Sequence, residues 1–460
     1  MVGPDESSDF GMSSGGSSRG HSEEAEPFTP SDGITHGYPP EARVPVVVAT
    51  IMRTVGATGV QTHVREVCES LASRGNRPQL VTPYSWGGLL SVPVFGVRRL
   101  LLEPVSGAAS VAWYRYWHYV FLRRALEREL ARLGSAVVYA QCPLSALAAL
   151  EARRDPSQRV VLAIHFDVSQ ADEWVSKDKL RQGGRVYRGI TELERRVLPL
   201  VDGIVYVSES ARQGVASHVN GVEHVRSAVI PNFVVDPLSA TQASPAGRTI
   251  SNAARTADLV AVGSLEISKN QQFLLAVIHA ANQMGRRLTL DIVGDGPCRH
   301  RLERRARSLG VEDQVRFLGL RLDAQALLSG HRVFVHAATR EAFGIVIIEA
   351  MGSGLPVVSS DAGGITEMFE PGVEGLVWPL DDPRAAARVL IDLLEDEARL
   401  TRMSAAARAR FERSFDASVI GLLLEQFLQS TPSTSGAVPR HRLHRAPRGG
   451  RRGAVGRIER

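Results

Sequence analysis

The chain has 460 residues, of which 44% are hydrophobic and 22% are charged, a composition typical of soluble globular proteins and a length that allows two or three domains. Its three cysteines are widely spaced and form no disulfide or metal-binding pattern, which favours a reducing, cytoplasmic setting. No apolar run approaches the roughly 18 residues that a membrane-spanning helix needs. We therefore expect a cytoplasmic protein whose contact with the inner face of the plasma membrane is peripheral at most.

The formal net charge of +5 is unevenly distributed along the chain. Residues 431–460 hold eight arginines and one glutamate, whereas residues 1–43 hold eight acidic and two basic residues. Both segments contain many Gly, Ser or Pro residues and few apolar anchors, so we predict that both are disordered. The arginine-rich tail is either a contact for anionic lipid headgroups or a plain solvated tail, and nucleic acid is not an expected partner.

The first ordered elements follow an α/β pattern. Residues 46–49 form a buried strand, a glycine-containing loop ends at Gly59, apolar residues at helical spacing occupy 60–71, and the next strand begins at Leu80. Strand, loop, helix and strand in this order predict a Rossmann-like domain. The loop lacks the GxGxxG pattern, so a dinucleotide site is not indicated.

Residues 111–124, with the sequence VAWYRYWHYVFLRR, concentrate aromatic and cationic side chains. A helix of this kind can lie on a membrane face or receive a lipid-linked acceptor. The other interpretation is a long amphipathic helix that continues to Leu133 and packs on the N-terminal sheet. The sequence leaves both interpretations open.

A histidine, His165, comes directly after a predicted buried strand over residues 160–164. Functional groups of open α/β sheets lie beyond the carboxyl ends of the strands, so His165 is a candidate site residue, although single histidines are more often structural. Residues 236–257 are rich in Ser, Thr, Ala, Gly and Pro and are predicted to be a linker. A second domain then begins with a strand over residues 259–263.

The most informative stretch of the second domain runs from Glu341 to Glu367 and reads EAFGIVIIEAMGSGLPVVSSDAGGITE. Gly344 opens a short apolar helix, which two later glycines end, and a buried strand follows. The N-terminus of this helix offers free N–H groups and a positive dipole end to a phosphate. Glu349 falls in its second turn, and carboxylates bind sugar hydroxyls well because they are pure acceptors.

This stretch resembles the E-x7-E signature of retaining GT-B glycosyltransferases, specifically glycosyltransferase family 4. Glu341 and Glu349 match the two glutamates, Phe343-Gly344 matches the aromatic-glycine pair, and Gly363-Gly364 matches the downstream glycine pair. Two glutamates eight positions apart also occur often on solvated helices, but the whole string is specific.

The resemblance covers residues 44–430 and implies an α/β GT-B fold, in which two Rossmann-like domains face each other across a cleft and a C-terminal helix crosses back to the first domain. The segments that we expect are a disordered segment over 1–43, an N-terminal acceptor domain over 44–235, the linker over 236–257, a C-terminal nucleotide-sugar donor domain over 258–412, the returning helix over 413–430 and the disordered tail over 431–460.

The resemblance also implies roles for single residues. Glu341 and the N–H groups after it would contact hydroxyls of the donor sugar, and Glu349 would hold the ribose of the nucleotide. His165 would lie near the reacting carbon and Lys269 on the diphosphate, which makes His165, Glu341 and Lys269 the catalytic candidates. The predicted donor-binding residues are Gly59, Gly263, Ser264, Lys269, Gly294, Leu318, Glu341, Phe343, Gly344, Ile345, Val346 and Glu349.

One position departs from the family pattern. Family members commonly carry an arginine where this chain has Ser264, so one cation beside the diphosphate is lost. It must be supplied from elsewhere, for example by Arg340 or by a residue of the N-terminal domain, or be replaced by backbone N–H groups.

The activity that the resemblance implies is retaining, hexosyltransferase-type transfer from a nucleotide-diphosphate sugar to a sugar, a lipid-linked or a small-molecule acceptor, in cell-surface polysaccharide, glycolipid or related glycan synthesis. No His, Asp or Glu cluster has metal-ligand spacing, so we expect no metal and no cofactor beyond the nucleotide-sugar co-substrate. Two alternatives stay open. One is a GT-B glycoside phosphorylase or sugar-phosphate synthase, and the other is a non-catalytic scaffold that binds lipid or glycan.

Overall fold

The computed structural model describes residues 43–53, 56, 58–242, 257–321 and 323–433. Most of the residues predicted to be disordered, and most of the predicted linker, lie outside these ranges. Residues 43 and 431–433, which the prediction placed in the disordered ends, are described, and Thr431 is buried. Within them the chain forms two parallel β-sheets, each of six strands and each covered by helices.

The first sheet consists of β1 (Val46–Ala49), β2 (Gln79–Val81), β3 (Ala136–Ala140), β4 (Gln158–Ile164), β5 (Gly203–Tyr206) and β6 (Ser227–Val229). Its spatial order is β2-β1-β3-β4-β5-β6, and every neighbouring pair is parallel. All four residues of β1 are buried because helices cover both faces, and this explains its continuous run of apolar residues.

The helices around this sheet are α1 (Gly59–Ser73), α2 (Tyr84–Val97), α3 (Gly107–Leu130), α4 (Pro143–Ala152), α5 (Gln170–Ser176), α6 (Arg185–Val197) and α7 (Glu209–His218). Val47 and Ala49 belong to the core shared with α3 and α4, whereas Val46 and Val48 belong to the core shared with α1. The alternation follows from the two-residue period of a strand.

The second sheet consists of β7 (Leu259–Val262), β8 (Leu290–Val293), β9 (Val315–Gly319), β10 (Val333–His336), β11 (Val357–Ser359) and β12 (Gly375–Val377), in the order β12-β11-β10-β7-β8-β9 and again parallel. The remaining helices are α8 (Pro237–Gln242), α9 (Gln271–Gln283), α10 (Arg299–Ser308), α11 (Ala324–Leu328), α12 (Ile345–Gly352), α13 (Pro383–Glu395), α14 (Glu397–Ser414) and α15 (Ala417–Ser430).

The last helix packs on the first sheet. Ile420, Leu424 and Phe427 of α15 are buried in the same core as Val46 and Val48. This return of the chain, together with the two doubly wound sheets, confirms the predicted GT-B fold. The two passages between the domains lie side by side, because Val234 N–H donates to the carbonyl of Phe415 at 3.2 Å and Ala417 N–H donates to that of Val234 at 3.0 Å.

Proline sets two of the element boundaries. β11 forms only from Val357, because Pro356 has no N–H to donate to a ladder. Helix α6 ends at Val197, and a short 3-10 turn containing Pro199 follows. The glycine pair at 363 and 364 forms part of a 3-10 helix over Gly363–Glu367.

The aromatic stretch 111–124 lies in α3, and its rings are largely packed. The indole N–H of Trp113 donates to the carbonyl of Val94 at 2.9 Å, and Trp117 stacks on Phe121 with ring centroids 5.6 Å apart. Tyr116 is an exception, with 60% of its surface exposed. Most of this stretch therefore has the packing role that was one of its two interpretations. No described helix combines the length and the apolarity needed to cross a bilayer.

Candidate functional site

The predicted site residues of the second domain gather around Glu341, in the loop between β10 and α12. Lys269 Nζ donates to the Glu341 carboxylate, and His336 Nε2 lies 3.8 Å from the same oxygen. Burial alone would raise the pKa of Glu341, but Lys269 and His336 outweigh it, so the pKa lies below its ordinary value. The pKa of Lys269 is raised, because the attraction of Glu341 outweighs burial. Both groups are therefore charged at neutral pH.

Helix α12 begins beside this ion pair. Gly344, at its N-cap, has φ +86°, which is why a glycine is needed there. No side chain caps the helix, so its first N–H groups and its positive dipole end remain available to an anion. Ile345 is buried and Val346 partly buried, whereas the ring of Phe343 is buried against Phe415 at 6.0 Å between centroids. Any contact of Phe343 with a ligand would therefore be made by its backbone.

Glu349, one turn further along α12, is buried, and its Oε1 accepts a hydrogen bond from Gln325 at 3.3 Å. Burial raises the pKa of Glu349 to about 7, the Gln325 hydrogen bond opposes this, and Glu66 of α1 raises it further. The attraction of Arg65 also opposes burial but does not outweigh it, so this carboxylate is poised between its neutral and charged forms near neutral pH.

Two glycines allow the loops that follow β7 and β8 to pack closely against each other. Gly263 N–H donates to the carbonyl of Val293 and Gly294 N–H to that of Gly319, at 3.0 and 2.8 Å. Gly294 has φ +140°, and a Cβ on it would overlap the carbonyl oxygen of Gly263. These glycines thus let the ends of β7, β8 and β9 approach closely. Ser264 is exposed beside them, and Leu318 is partly buried against the core below α12.

The first domain contributes His165, directly after β4. Its Nε2 lies 3.0 Å from Oε1 of Gln141, and its ring meets that of His63 edge-on with centroids 4.7 Å apart. Burial lowers the pKa of His165 to about 4, so the ring is neutral at physiological pH. His63 is buried in α1, and its pKa is lowered by burial and by His165, although Asn232 opposes this.

Several contacts bring the two domains together at this site. A Cβ on Gly59, at the start of α1, would lie 3.8 Å from Cδ1 of Ile345 at the start of α12. Ser208 Oγ donates to the carbonyl of Ala342 at 3.0 Å. Asp167 faces Gly363, where a Cβ would lie 3.3 Å from its Oδ1. The two helix N-termini and the Glu341 loop therefore share one cleft.

Other residues of this cleft were not predicted from the sequence. Asp167 has a pKa raised by burial, lowered by Arg340 and raised again by Glu341 and Glu367. Gln141 follows a strand just as His165 does, so the strand-end rule that found the histidine could have found it. Glu367 offered no such signal, because its partners lie in the other domain. Arg340, the suggested replacement for the missing arginine, is exposed and acts on Asp167.

No three His, Cys, Asp or Glu side chains form a cluster able to hold a metal ion in the described ranges. The predicted site thus combines one ion pair, two helix N-termini, a poised carboxylate and a neutral histidine. This combination suits a phosphate-bearing ligand with several hydroxyl groups, since helix ends bind anions and carboxylates accept from hydroxyls.

Comparison with known proteins extends this picture. Residues 57–236 match the sequence model of Glycosyltransferase Family 4, and residues 249–410 match that of Glycosyl transferases group 1. Together the two models cover most of the chain and support a family 4 glycosyltransferase. This confirms the family inferred from the motif around Glu341.

Curated relatives of this glycosyltransferase act on different substrates. The chain is 27% identical to the phosphatidyl-myo-inositol mannosyltransferase of Mycobacterium leprae over 82% of its own length and 94% of that protein. It is 32% identical to the N-acetyl-alpha-D-glucosaminyl L-malate synthase of Bacillus anthracis over 27% of its own length. This second match spans about a third of the relative, 32% of its length.

Among solved structures, the glycosyltransferase resembles Anabaena HepE in complex with UDP-glucose, with a TM-score of 0.60 and 19% sequence identity, over 84% of this chain and 99% of that one. At this level of identity the similarity concerns the fold. It is independent support for two Rossmann-like domains in the GT-B arrangement.

Proposed function

We propose that the chain is a retaining glycosyltransferase that moves a hexose from a nucleotide-diphosphate sugar to a hydroxyl acceptor. One observation carries the proposal. The Lys269–Glu341 ion pair, the uncapped N-terminus of α12 and the N-terminus of α1 converge in the cleft, where Asp167, two residues after His165, faces Gly363. A diphosphate, its sugar and its ribose each find a chemically matched partner in this arrangement.

The diphosphate would lie between the starts of α1 and α12. The charge of Lys269 is balanced by the paired Glu341, and the Thr58 side chain accepts from one of the first N–H groups of α1, that of Gln61. Each helix N-terminus carries roughly half a positive charge. This supports the interpretation that backbone N–H groups compensate for the cation lost at Ser264. Arg340 is a weaker candidate for that cation, because its charge already acts on Asp167.

The sugar and ribose would be held by carboxylates. Glu341, kept ionised by Lys269, would accept hydrogen bonds from hydroxyls of the donor sugar, and Glu349 would accept from the ribose. Ribose binding favours the charged form of Glu349, so it would draw the pKa of this group down from about 7. The nucleobase would meet the backbone around Gly294 and Leu318, which we propose from the family pattern.

In the transfer itself, the bond between the anomeric carbon and the leaving phosphate oxygen breaks, and a bond to the acceptor oxygen forms on the same face of the sugar. The acceptor proton passes to the departing phosphate. Lys269 and the α12 N-terminus would offset the negative charge that grows on the diphosphate, a stabilisation worth about 3 kcal/mol per well-placed donor. We propose that these groups suffice without a metal ion.

A lipid-linked acceptor is the class that we favour, in glycolipid or cell-surface polysaccharide synthesis. Leu100 and Leu101, in a π-helical segment over Arg98–Leu102, and Val105, in the turn that follows it, expose 76%, 62% and 84% of their surfaces. This supports peripheral contact of this end of the first domain with a membrane. The Mycobacterium leprae relative is named for a phosphatidyl-myo-inositol substrate. The arginine-rich tail remains a second proposed contact with anionic lipid.

A panel of thermal-shift measurements tests the donor site. UDP, GDP, ADP and their common sugar conjugates would be added with and without EDTA, since a ligand that binds the native state raises the melting temperature. We expect one nucleotide to raise it, EDTA to leave the shift unchanged, and Glu349→Ala to abolish it. No shift with any nucleotide would contradict the proposal and favour a scaffold or a phosphorylase.

The stereochemistry needs its own measurement. Slow hydrolysis of the bound donor, with water as acceptor, would be followed by NMR of the anomeric proton. Retention predicts that the first sugar released has the anomeric configuration of the donor. Release of the opposite anomer would exclude a retaining mechanism, and release of a sugar phosphate would instead indicate a phosphorylase.

A further inference from the structure

Gln141 and His165 occupy equivalent positions at two neighbouring strand ends. β3 ends at Ala140 and β4 at Ile164, and the two strands are adjacent and parallel, so the residue after each lies at the same edge of the sheet. Gln141 is 4% exposed, and its Oε1 lies 3.0 Å from Nε2 of His165. A buried amide thus faces one nitrogen of the candidate catalytic ring.

The surroundings of Gln141 fix the direction of this hydrogen bond. Its amide nitrogen lies 3.4 Å from the carbonyl oxygen of Tyr139. A carbonyl oxygen can only accept, so the NH₂ group must face Tyr139 and the amide oxygen must face His165. Because the amide oxygen also only accepts, Nε2 of His165 must carry a proton.

The charge state of His165 decides whether its second ring nitrogen can accept a hydrogen bond. Burial lowers its pKa to about 4, so the ring is neutral over the working pH range and holds a single N–H. His63 of α1, the ionisable group that packs on the ring, is kept neutral by burial as well. With the proton on Nε2, the other nitrogen, Nδ1, is an acceptor.

We propose that Gln141 is a positioning residue that holds His165 in its Nε2–H form, so that Nδ1 accepts a hydrogen bond from a hydroxyl group of the donor sugar. Nδ1 has no hydrogen-bonding partner of its own among the described residues, and His165 is partly exposed whereas Gln141 and His63 are buried. The inference rests on the proposed function, because it requires His165 to lie beside the donor sugar.

The first test needs no substrate. ¹⁵N NMR of the histidine side chains in the full chain distinguishes a protonated ring nitrogen from an unprotonated one, and comparison with His165→Gln assigns the signals. We expect a protonated Nε2 and an unprotonated Nδ1 near pH 7. The reverse pattern would overturn the proposal whatever the chain transfers.

Two variants of Gln141 then test whether the protonation state of His165 affects turnover. Gln141→Met keeps the length of the side chain but cannot accept, so we expect a mixed protonation pattern in the NMR spectrum and a kcat/KM about tenfold lower, as for one lost hydrogen bond. Gln141→Glu should raise the pKa of His165, because a carboxylate favours the charged ring. The ring would then be protonated at acidic pH, so we expect kcat/KM to fall there and to stay unchanged above neutrality. Gln213→Met, an exposed glutamine of α7, is the matched control.

These outcomes distinguish the orientation of His165 from its role in transfer. An unchanged NMR pattern in Gln141→Met would show that Gln141 does not determine which nitrogen of His165 is protonated, and this overturns the proposal. Normal kcat/KM in that variant despite a mixed pattern would overturn the role of Nδ1. If the wild-type chain binds no nucleotide sugar, the proposed function fails and the role of Nδ1 falls with it, while the NMR pattern still decides whether Gln141 orients His165.

Discussion

The carboxylate of Glu367, in the second domain, accepts a hydrogen bond at 2.7 Å from the backbone N–H of Ser210 in the first domain, and another at 2.7 Å from that of Glu209. These are the first two N–H groups of α7, which no intrahelical carbonyl can satisfy. A carboxylate at this end of a helix is also favoured by the dipole. One side chain thus fastens the two domains beside the loop of Glu341.

Replacing this carboxylate should loosen the cleft. Glu367→Ala removes both hydrogen bonds, a loss of about 1 kcal/mol for a helix cap, and we expect a larger radius of gyration in X-ray scattering of the nucleotide-free chain. A bound nucleotide sugar should restore the smaller value. Glu370→Ala, an exposed glutamate three residues later, should change neither. Equal radii for both variants would show that Glu367 does not hold the cleft closed.

The raised pKa of Glu349 predicts a pH-dependent stability. Its pKa of about 7 in the fold exceeds the ordinary value of 4.5. Its contribution to the free energy of unfolding is therefore fully present below pH 4.5 and is lost as the pH rises through 7. Glu349→Gln should remove this decline. Relative to the wild type, we expect the free energy of unfolding of the nucleotide-free variant to be up to about 3 kcal/mol higher at pH 8 than at pH 5. Urea unfolding at both pH values measures this.

The same substitution should weaken ribose binding, because a neutral amide accepts less strongly than a carboxylate. Glu395→Gln, at an exposed ion pair, is the control for a lost carboxylate and should alter neither quantity. A decline with pH that persists in Glu349→Gln would assign it to another group.

The Lys269–Glu341 pair allows stability to be separated from turnover. Lys269→Met leaves Glu341 largely buried without its cation, which should cost about 1–3 kcal/mol, and the double variant with Glu341→Gln should recover most of this loss. Turnover should fall at least about 100-fold in the single and the double variants. Chemical unfolding and initial rates measure the two effects. Recovery of turnover in the double variant would contradict a role of these charges in transfer.

Gly294 should tolerate no side chain. Gly294→Ala combines a φ of +140° with an overlap against the carbonyl of Gly263, and we expect a loss of about 2–4 kcal/mol. Gly310→Ala is a matched control, since Gly310 also has a positive φ, +65°, but has open space around it, so about 1 kcal/mol should be lost. Equal losses of stability in the two variants would show that the overlap with the carbonyl of Gly263 does not add to the effect of the positive φ.

Restoring the family cation should strengthen the donor site. Ser264 is exposed beside Gly263, so Ser264→Arg can be accommodated, and we expect nucleotide diphosphates to bind up to about tenfold more tightly at low salt, with the gain falling as salt rises. Calorimetry at two ionic strengths measures it. Weaker binding would indicate that the position is shaped against a large side chain.

Local patterns predicted most of the sheet and the short helix at the centre of the site. Runs such as residues 333–335 are apolar because both faces of a parallel strand are buried, and this signal survives in the sequence. Helix α2 gave no such signal. It contains Pro93 and several glycines, and contacts such as the stacking of Trp86 on Phe121 at 5.8 Å help to hold it in place.

The site divides in the same way. His165 follows a strand and Glu349 lies one turn into a helix, so local rules locate both. Glu367 caps a helix 157 residues earlier in the chain, and the pairing of Gln141 with His165 depends on which strands are neighbours. Such partners depend on the arrangement of distant segments, which no single stretch of sequence specifies.

The packing of α15 on the first sheet has a consequence for biosynthesis. Phe427 and Leu424 complete a core that begins at Val46, so that part of the core lacks one of its walls until the final helix has been translated. At typical rates this delay is on the order of tens of seconds. The nascent first domain must therefore keep apolar surface shielded from aggregation, and a ribosome that stalls before Ala417 would leave a chain unable to finish folding either at its start or at its end.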